Sequence, residues 1–260
     1  MQLDKTGIKR SFSAASTTYD PVAALQRSVG LELLASIDTG KLTGTVLDLG
    51  CGTGFLTGEL LARSNHETII ALDIALPMLQ TTQHKLADRR DVLYICADAE
   101  RLPLAEHSLA CVFSNLALQW CSDLDAVFTG IKRTLKPEGP LVFSTFGPQT
   151  LQELKSAWAS VDDYHHVNTF YSATQLQQFL QHAGFINCRL ESRLYTSHYD
   201  AVQFLMQELK QLGAHHVIAG RNKKITTKTA MQQMIAEYEK HRVADQIPAT
   251  FEIISVIAQA

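Results

Sequence analysis

An apolar strand, Val46-Leu47-Asp48-Leu49, runs directly into Gly50-Cys51-Gly52-Thr53-Gly54, three glycines in five residues. Glycine has no Cβ and tolerates unusual dihedrals, so such a turn brings bare backbone N–H groups against a ligand. The helix expected over about 55–63 points its positive N-terminus at the same spot. A nucleotide-like ligand is the chemistry this arrangement serves. The dinucleotide fingerprint places its third glycine three positions after the second; here that position is Phe55, and Gly54 follows Gly52 by two. That departure counts against NAD or FAD. Asp48 just before the turn and Asp73 at the end of the next apolar run stand where an amine and a ribose need acceptors. The plain alternative is an ordinary strand-to-helix turn.

Further polar residues fall at corresponding places down the chain. Asp98 follows the strand expected over 92–96, and an Asx-turn cap is its bland alternative. Asn115, Gln119 and Trp120 follow the strand over 109–114, beyond the carboxyl end where open parallel sheets bind ligands; Trp120 serves equally well as a core residue of the next helix. Taken with Asp48 and Asp73, the turn resembles the first motif, and the acid after it, of class I S-adenosylmethionine-dependent methyltransferases. The resemblance implies S-adenosyl-L-methionine as cofactor, held by Asp48, Gly50, Gly52, Gly54, Asp73, Ile74, Asp98, Ala99 and Asn115. It gives Asp73 the ribose hydroxyls and Asp98 the adenine amine. It also folds an N-terminal segment over the cofactor, making Tyr19 a wall of the site or simply a tyrosine packing that segment down.

The elements that must position these residues read as alternating strands and helices with short loops. A polar, irregular stretch over 1–20 precedes a helix that Asp20 caps, with Pro21 in its first turn and Leu25, Val29, Leu33 and Leu34 as its apolar face to about Ile37. Strands follow over 45–50, 68–73, 92–96, 109–114 and 141–146. Helices are expected over 55–63, 76–87, 124–135, 149–158 and 173–183, then strands over 186–194 and 250–257. This alternation predicts a doubly wound, mainly parallel sheet, and the resemblance makes it a seven-stranded Rossmann-like methyltransferase sheet with an antiparallel last strand. The chain is expected to be one domain, with an N-terminal helical extension (1–40), a core (41–199 and 246–260) and a helical lid inserted before the last strand (200–245). With 260 residues, a full core and an appendage fit comfortably.

Composition narrows the classes. No apolar run is long enough for a membrane span, and the start Met1-Gln2-Leu3-Asp4-Lys5 lacks a signal-peptide core, so a cytoplasmic protein away from membranes is expected. Five scattered cysteines with no C-x-x-C pair point to neither disulfides nor zinc. The pairs His165/His166 and His215/His216 fail as metal ligands because adjacent histidines point apart and no carboxylate is seen to partner them. A net charge of −3 argues against nucleic acid, yet between Arg189 and Arg242 nine Lys/Arg stand against five Asp/Glu. This local excess fits either a docking face for an acidic partner or a solvated helix face.

The pieces outside the cofactor motifs carry a narrower resemblance, because fold alone does not fix the acceptor. Phe12-Ser13-Ala14-Ala15, Tyr19-Asp20, Gln26, Asn115-Leu116-Ala117-Leu118-Gln119-Trp120, Ser144-Thr145-Phe146-Gly147-Pro148, His166-Val167-Asn168, Leu212-Gly213-Ala214-His215 with Arg221, and Pro248-Ala249-Thr250-Phe251-Glu252 resemble the malonyl-[acyl-carrier protein] O-methyltransferase family of biotin synthesis. The likeness covers essentially the whole chain, except that the loop 221–228 is richer in lysine and poorer in glycine. It implies methylation of the free malonyl carboxylate, which, already ionised at neutral pH, needs alignment more than a general base. Tyr19, Asn115, Gln119, His166 and Arg221 are the candidates to hold it. The expected partner is malonyl-loaded acyl-carrier protein, docking on the basic lid around Lys210, Arg221, Lys223, Lys224 and Lys228. The rivals are a methyltransferase for a quinone precursor or another carboxylic acid, and a non-catalytic cofactor-binding assembly protein; a polar, basic lid speaks against a quinone.

Overall fold

A computed structural model of the chain describes residues 3–214 and 226–260. Its helices and strands are α1 (Lys5–Ala15), α2 (Tyr19–Val22), α3 (Ala24–Ala35), β1 (Thr43–Leu49), α4 (Phe55–Arg63), β2 (Asn65–Asp73), α5 (Leu76–Lys85), β3 (Val92–Cys96), β4 (Cys111–Asn115), α6 (Leu124–Thr134), β5 (Pro140–Phe146), α7 (Gln152–Ala159), α8 (Ala173–His182), β6 (Ile186–Tyr199), α9 (Val202–Gln211), α10 (Lys228–Glu239) and β7 (Ile247–Gln259). The strands form one seven-stranded sheet in the order β3-β2-β1-β4-β5-β7-β6. All run parallel except β7, which lies antiparallel between β5 and β6. The expected doubly wound sheet with an antiparallel last strand is therefore what this sequence forms.

Strand alternation explains the two-sided core. Leu47, Leu49, Ile70, Leu72 and Val112 point to the face covered by α6 and α8, where Val127, Phe128, Ile131 and Leu180 are buried. Their neighbours Val46, Ile69, Ala71 and Phe113 point to the opposite face, under Leu33 and Leu34 of α3 and Leu56 and Leu60 of α4. Continuous apolar strands are what a sheet buried on both faces requires.

Three expectations need correction. The stretch 1–20 is not irregular: Asp4 caps α1 by accepting from the Gly7 N–H, and the helix buries Gly7, Ile8, Ser11 and Ala15. Its buried stripe uses small and polar residues, so the apolar periodicity is weak. Asp20 does not cap the following helix. It lies inside the short α2, and its carboxylate instead accepts from Thr53 Oγ1 and Lys85 Nζ, while the chain breaks at Ala23 before α3 begins. The last two strands are longer than expected, pairing from Ile186↔Gln259 through to Tyr199↔Ile247, whereas β5 reaches only Phe146↔Ile253. The far end of this hairpin projects past the sheet because it has a core of its own: Tyr199, Ile247, Ala249 and Phe251 pack with Trp158 of α7, Val202 and Leu205 of α9, and Met234 and Tyr238 of α10. No helix among the described residues is long and apolar enough to cross a membrane.

Candidate active site

The glycine turn is built by close approach. Gly50 has φ +78°, and a Cβ there would lie 2.3 Å from that of Ala117; its N–H and that of Cys51 donate to the Leu72 carbonyl at 2.7 and 3.0 Å, welding the turn to the end of β2. Gly54 (φ +86°) is pressed just as closely on Thr82. Gly52 differs, since φ is +54° but no atom lies within 4 Å of where its Cβ would stand. Two of the glycines thus make packing possible and the third leaves an open cradle.

Asp73 closes the turn from β2. Its Oδ2 accepts from the Gly52 N–H at 2.9 Å and its Oδ1 from the Ala75 N–H at 2.8 Å. Burial pushes this carboxyl above its ordinary value, with the backbone donors opposing. Asp48 stands behind the turn, 1 % exposed, accepting from Thr57 Oγ1 at 2.6 Å. Burial there pushes the carboxyl up to about 7.

Two hollows meet at this turn, and a third shares a lining residue with each of them. The first is walled by Gly50, Gly52, Asp73, Ile74, Asp98 and Ala99 from the sheet side and roofed by Lys5, Ile8 and Phe12 of α1. The second lies across the turn, between Asp48, Thr53, Gly54 and the α2–α3 segment with Asp20, Gln26 and Arg27. Tyr19 and Asn115 border both. The third is a mainly apolar chamber under the helical insertion, lined by Phe146, Leu154, Trp158, Phe170, Met206 and Phe251 with His166 and Glu208. Trp120 borders the first and third hollows, and Gln26 the second and third.

The structure sorts the expected residues. Tyr19, Asp73, Ile74, Asp98, Ala99 and Asn115 come together around the first hollow with Gly50 and Gly52, whereas Asp48 and Gly54 face only the second. Gln119 does not face any of the three: it is 7 % exposed, donates to the Leu116 carbonyl at 2.6 Å and accepts from Thr145 Oγ1 at 3.2 Å. The tight turn Leu118–Trp120 rotates Trp120 outward and Gln119 inward, so neighbours in sequence part company. Asn115 spends its amide within the protein, donating to the Gln26 carbonyl and accepting from Ser144 Oγ, both at 2.8 Å. His166 does have a carboxylate partner, contrary to expectation: Asp162 Oδ1 lies 2.8 Å from its Nε2, and its ring stacks on Trp158 with centroids 3.7 Å apart. Arg221, Lys223, Lys224 and the pair His215/His216 lie outside the described residues.

Lys5 was not legible as a site residue. Its Nζ sits 2.5 Å from both Asp98 Oδ2 and Glu100 Oε2, and Asp98 Oδ1 also accepts from the Glu100 N–H at 3.0 Å. The partners are too distant in sequence for spacing to reveal them.

Residues 47–143 match the Methyltransferase domain family. Over 97% of its length the chain is 41% identical to the malonyl-[acyl-carrier protein] O-methyltransferase of Methylovorus sp. (strain MP688), spanning 88% of that protein. The chain belongs to the malonyl-[acyl-carrier protein] O-methyltransferase family. The biotin biosynthesis bifunctional protein BioHC of Cellvibrio japonicus (strain Ueda107) is 38% identical over 98% of this chain, which spans 50% of that longer protein. In fold, the chain resembles phosphoethanolamine N-methyltransferase 2 of Haemonchus contortus, solved with S-adenosyl-L-methionine, at a TM-score of 0.57 and 16% identity, covering 94% of this chain and 56% of that one. Family membership makes this an S-adenosyl-L-methionine-dependent methyltransferase, and the site accommodates that cofactor: an open glycine cradle and two acids at successive strand ends border one cleft.

Proposed function

We propose that this protein transfers a methyl group from S-adenosylmethionine to the free carboxylate of malonyl-[acyl-carrier protein], giving the methyl ester that primes pimeloyl synthesis for biotin. One observation carries the reading: the 41% identity to a malonyl-[acyl-carrier protein] O-methyltransferase runs through 97% of the chain, extension and helical insertion included. The geometry agrees, since an apolar chamber meets the cofactor clefts at Trp120 and Gln26.

Bound S-adenosylmethionine supplies an electrophilic methyl on a sulfonium; the carboxylate oxygen takes that methyl, and the carbon–sulfur electron pair stays on sulfur. The chain's own task is to bind and orient. Asp73 keeps lone pairs free beyond its two backbone donors and receives the ribose hydroxyls, while Asp98 receives the adenine amine beside Ala99 and Ile74. Asp48 works from behind, holding Thr57 at the start of α4. Tyr19 and Asn115 shape the wall between the two cofactor clefts. The chamber's Phe146, Leu154 and Phe251 exclude water, so an entering carboxylate is desolvated and needs few but well-placed donors. His166, held by Asp162 and Trp158, and Arg221 fill that role in this reading.

We read residues 200–245 as a lid on a single methyltransferase domain and place carrier docking on its basic surface. Lys210 and Lys228 are exposed, and Arg221, Lys223 and Lys224 lie in the segment between them. We place the reaction in the cytoplasm, in keeping with five free cysteines. The test is transfer of a labelled methyl from S-adenosylmethionine to malonyl-carrier, malonyl-CoA and free malonate. Transfer to malonyl-carrier is expected; labelling of an unrelated acid or phenol with none of the malonyl thioesters accepted would overturn the reading.

A further inference from the structure

Gln26 sits in the first turn of α3, immediately after the break at Ala23. Its backbone is fixed from the sheet: Asn115 Nδ2 donates to its carbonyl at 2.8 Å, and Ser144 Oγ donates to Asn115 Oδ1 at the same distance. One turn further along, Gly30 lets the helix lie against Asn115, since a Cβ there would stand 3.1 Å from Nδ2. The ends of β4 and β5 therefore determine where the Gln26 side chain projects. Gln26 borders both the second cofactor cleft and the acceptor chamber.

The Gln26 Oε1 atom is buried and has no hydrogen-bond partner; among the described residues the other such atom is the Tyr94 hydroxyl, which borders none of the three hollows. A buried carbonyl oxygen left unpaired forfeits its hydration without return, so native proteins keep few of them, and one on a residue that borders two hollows points to a bound group that completes the bond. Which ligand group completes this one follows from charge. The acceptor's carboxylate has only lone pairs to offer and would repel an amide oxygen. The cofactor carries an ammonium, hydroxyls and a methyl whose hydrogens the sulfonium polarises, and of these the methyl is the group that has to pass the boundary with the acceptor chamber, where Gln26 stands.

Resting on the methyltransferase reading above, we propose that Gln26 is a catalytic residue whose Oε1 accepts carbon–hydrogen contacts from the transferring methyl and aims it into the acceptor chamber. An amide suits this place better than a carboxylate, which would stand beside the methyl as a competing nucleophile. The contact is specific to the methylated sulfonium. S-adenosylhomocysteine, lacking both methyl and charge, gains nothing from it.

Calorimetry with both cofactor forms, and the NMR spectrum of S-adenosylmethionine carrying a 13C-labelled methyl, read this directly. Gln26→Met keeps the length of the side chain and removes the acceptor. It is expected to weaken S-adenosylmethionine three- to tenfold while S-adenosylhomocysteine changes less than twofold. In the wild-type protein the bound methyl protons should move downfield of free cofactor, and that shift should vanish in the variant. Equal loss of both cofactor forms, or loss of neither, would overturn the contact. Should Gln26→Met fail to fold, the wild-type spectrum decides alone: an unshifted methyl with cofactor bound overturns it. A wild-type protein that binds no S-adenosylmethionine would instead overturn the methyltransferase reading itself.

Discussion

At the scale of single residues, one carboxylate is given two tasks. Asp73 ties the Gly52 N–H to β2 and, in the proposed role, accepts from the ribose. Asp73→Ala removes both, so S-adenosylmethionine binding should weaken at least about tenfold, on the order of 1.4 kcal/mol. The tasks separate with an analogue lacking the 2′-hydroxyl, which should bind wild type poorly yet bind the variant almost as well as the natural cofactor does. Unchanged affinity of the variant by calorimetry would remove Asp73 from the ribose. Asp48 shows the opposite economy, a buried acid that accepts from the Thr57 hydroxyl. Burial, opposed by the Thr57 bond and reinforced by Asp73, raises its folded carboxyl to about 7, whereas an unfolded Asp ionises near about 4. Between those values the folded chain holds a proton that the unfolded chain has released, so this residue's contribution to stability falls as pH rises from about 4 to about 7 and is level above. Asp48→Asn should therefore gain on wild type in melting temperature as pH is raised through that window, and parallel curves would show that the carboxyl ionises normally.

At the scale of elements, the sheet was legible and its attachments were less so. β1, β2 and β5 announce themselves because a strand covered on both faces must be apolar throughout, and the turn after β1 carries glycines that the packing on Ala117 and Thr82 demands. α1 escaped because four buried positions, Gly7, Ile8, Ser11 and Ala15, include only one large apolar side chain. With it went Lys5, whose partner Asp98 is 93 residues away. Gln119 was misplaced for a different reason: a strand-end position predicts the neighbourhood, but a single tight turn decides which of two adjacent side chains faces the ligand. The projecting ends of β6 and β7 were under-read because Ser197, His198 and Pro248 look like loop, and only the cluster under α9 and α10 explains why they stay paired. Long-range closure accounts for the misses at Lys5 and at the strand ends, and local detail for those at α1 and Gln119.

At the scale of the whole molecule, the positive excess between Arg189 and Arg242 centres in sequence on Arg221, Lys223, Lys224 and Lys228, between the two inserted helices and at the start of the second, while the chain as a whole is acidic. Acyl-carrier proteins are acidic and present their thioester on a long arm, so in the proposed reading a carrier docks beside the chamber mouth. The end of α9, carrying Lys210, is anchored to the N-terminal extension, where Thr18 Oγ1 donates to the Gln211 carbonyl at 3.0 Å; Lys228 begins α10. Exposed charges of this kind contribute roughly 0.2–1 kcal/mol each, and they act on encounter more than on the bound complex, so salt screens them. Reversing Lys223 and Lys224 together should raise KM for malonyl-carrier severalfold at low salt, with kcat kept, and the defect should shrink as salt is added. Malonyl-CoA, if it is a substrate, should be affected less, because it has no acidic protein surface to place. Equal loss on both substrates would assign the lysines to the prosthetic arm's phosphate or to the chamber itself, and no loss on either would make the positive excess a solvated helix face.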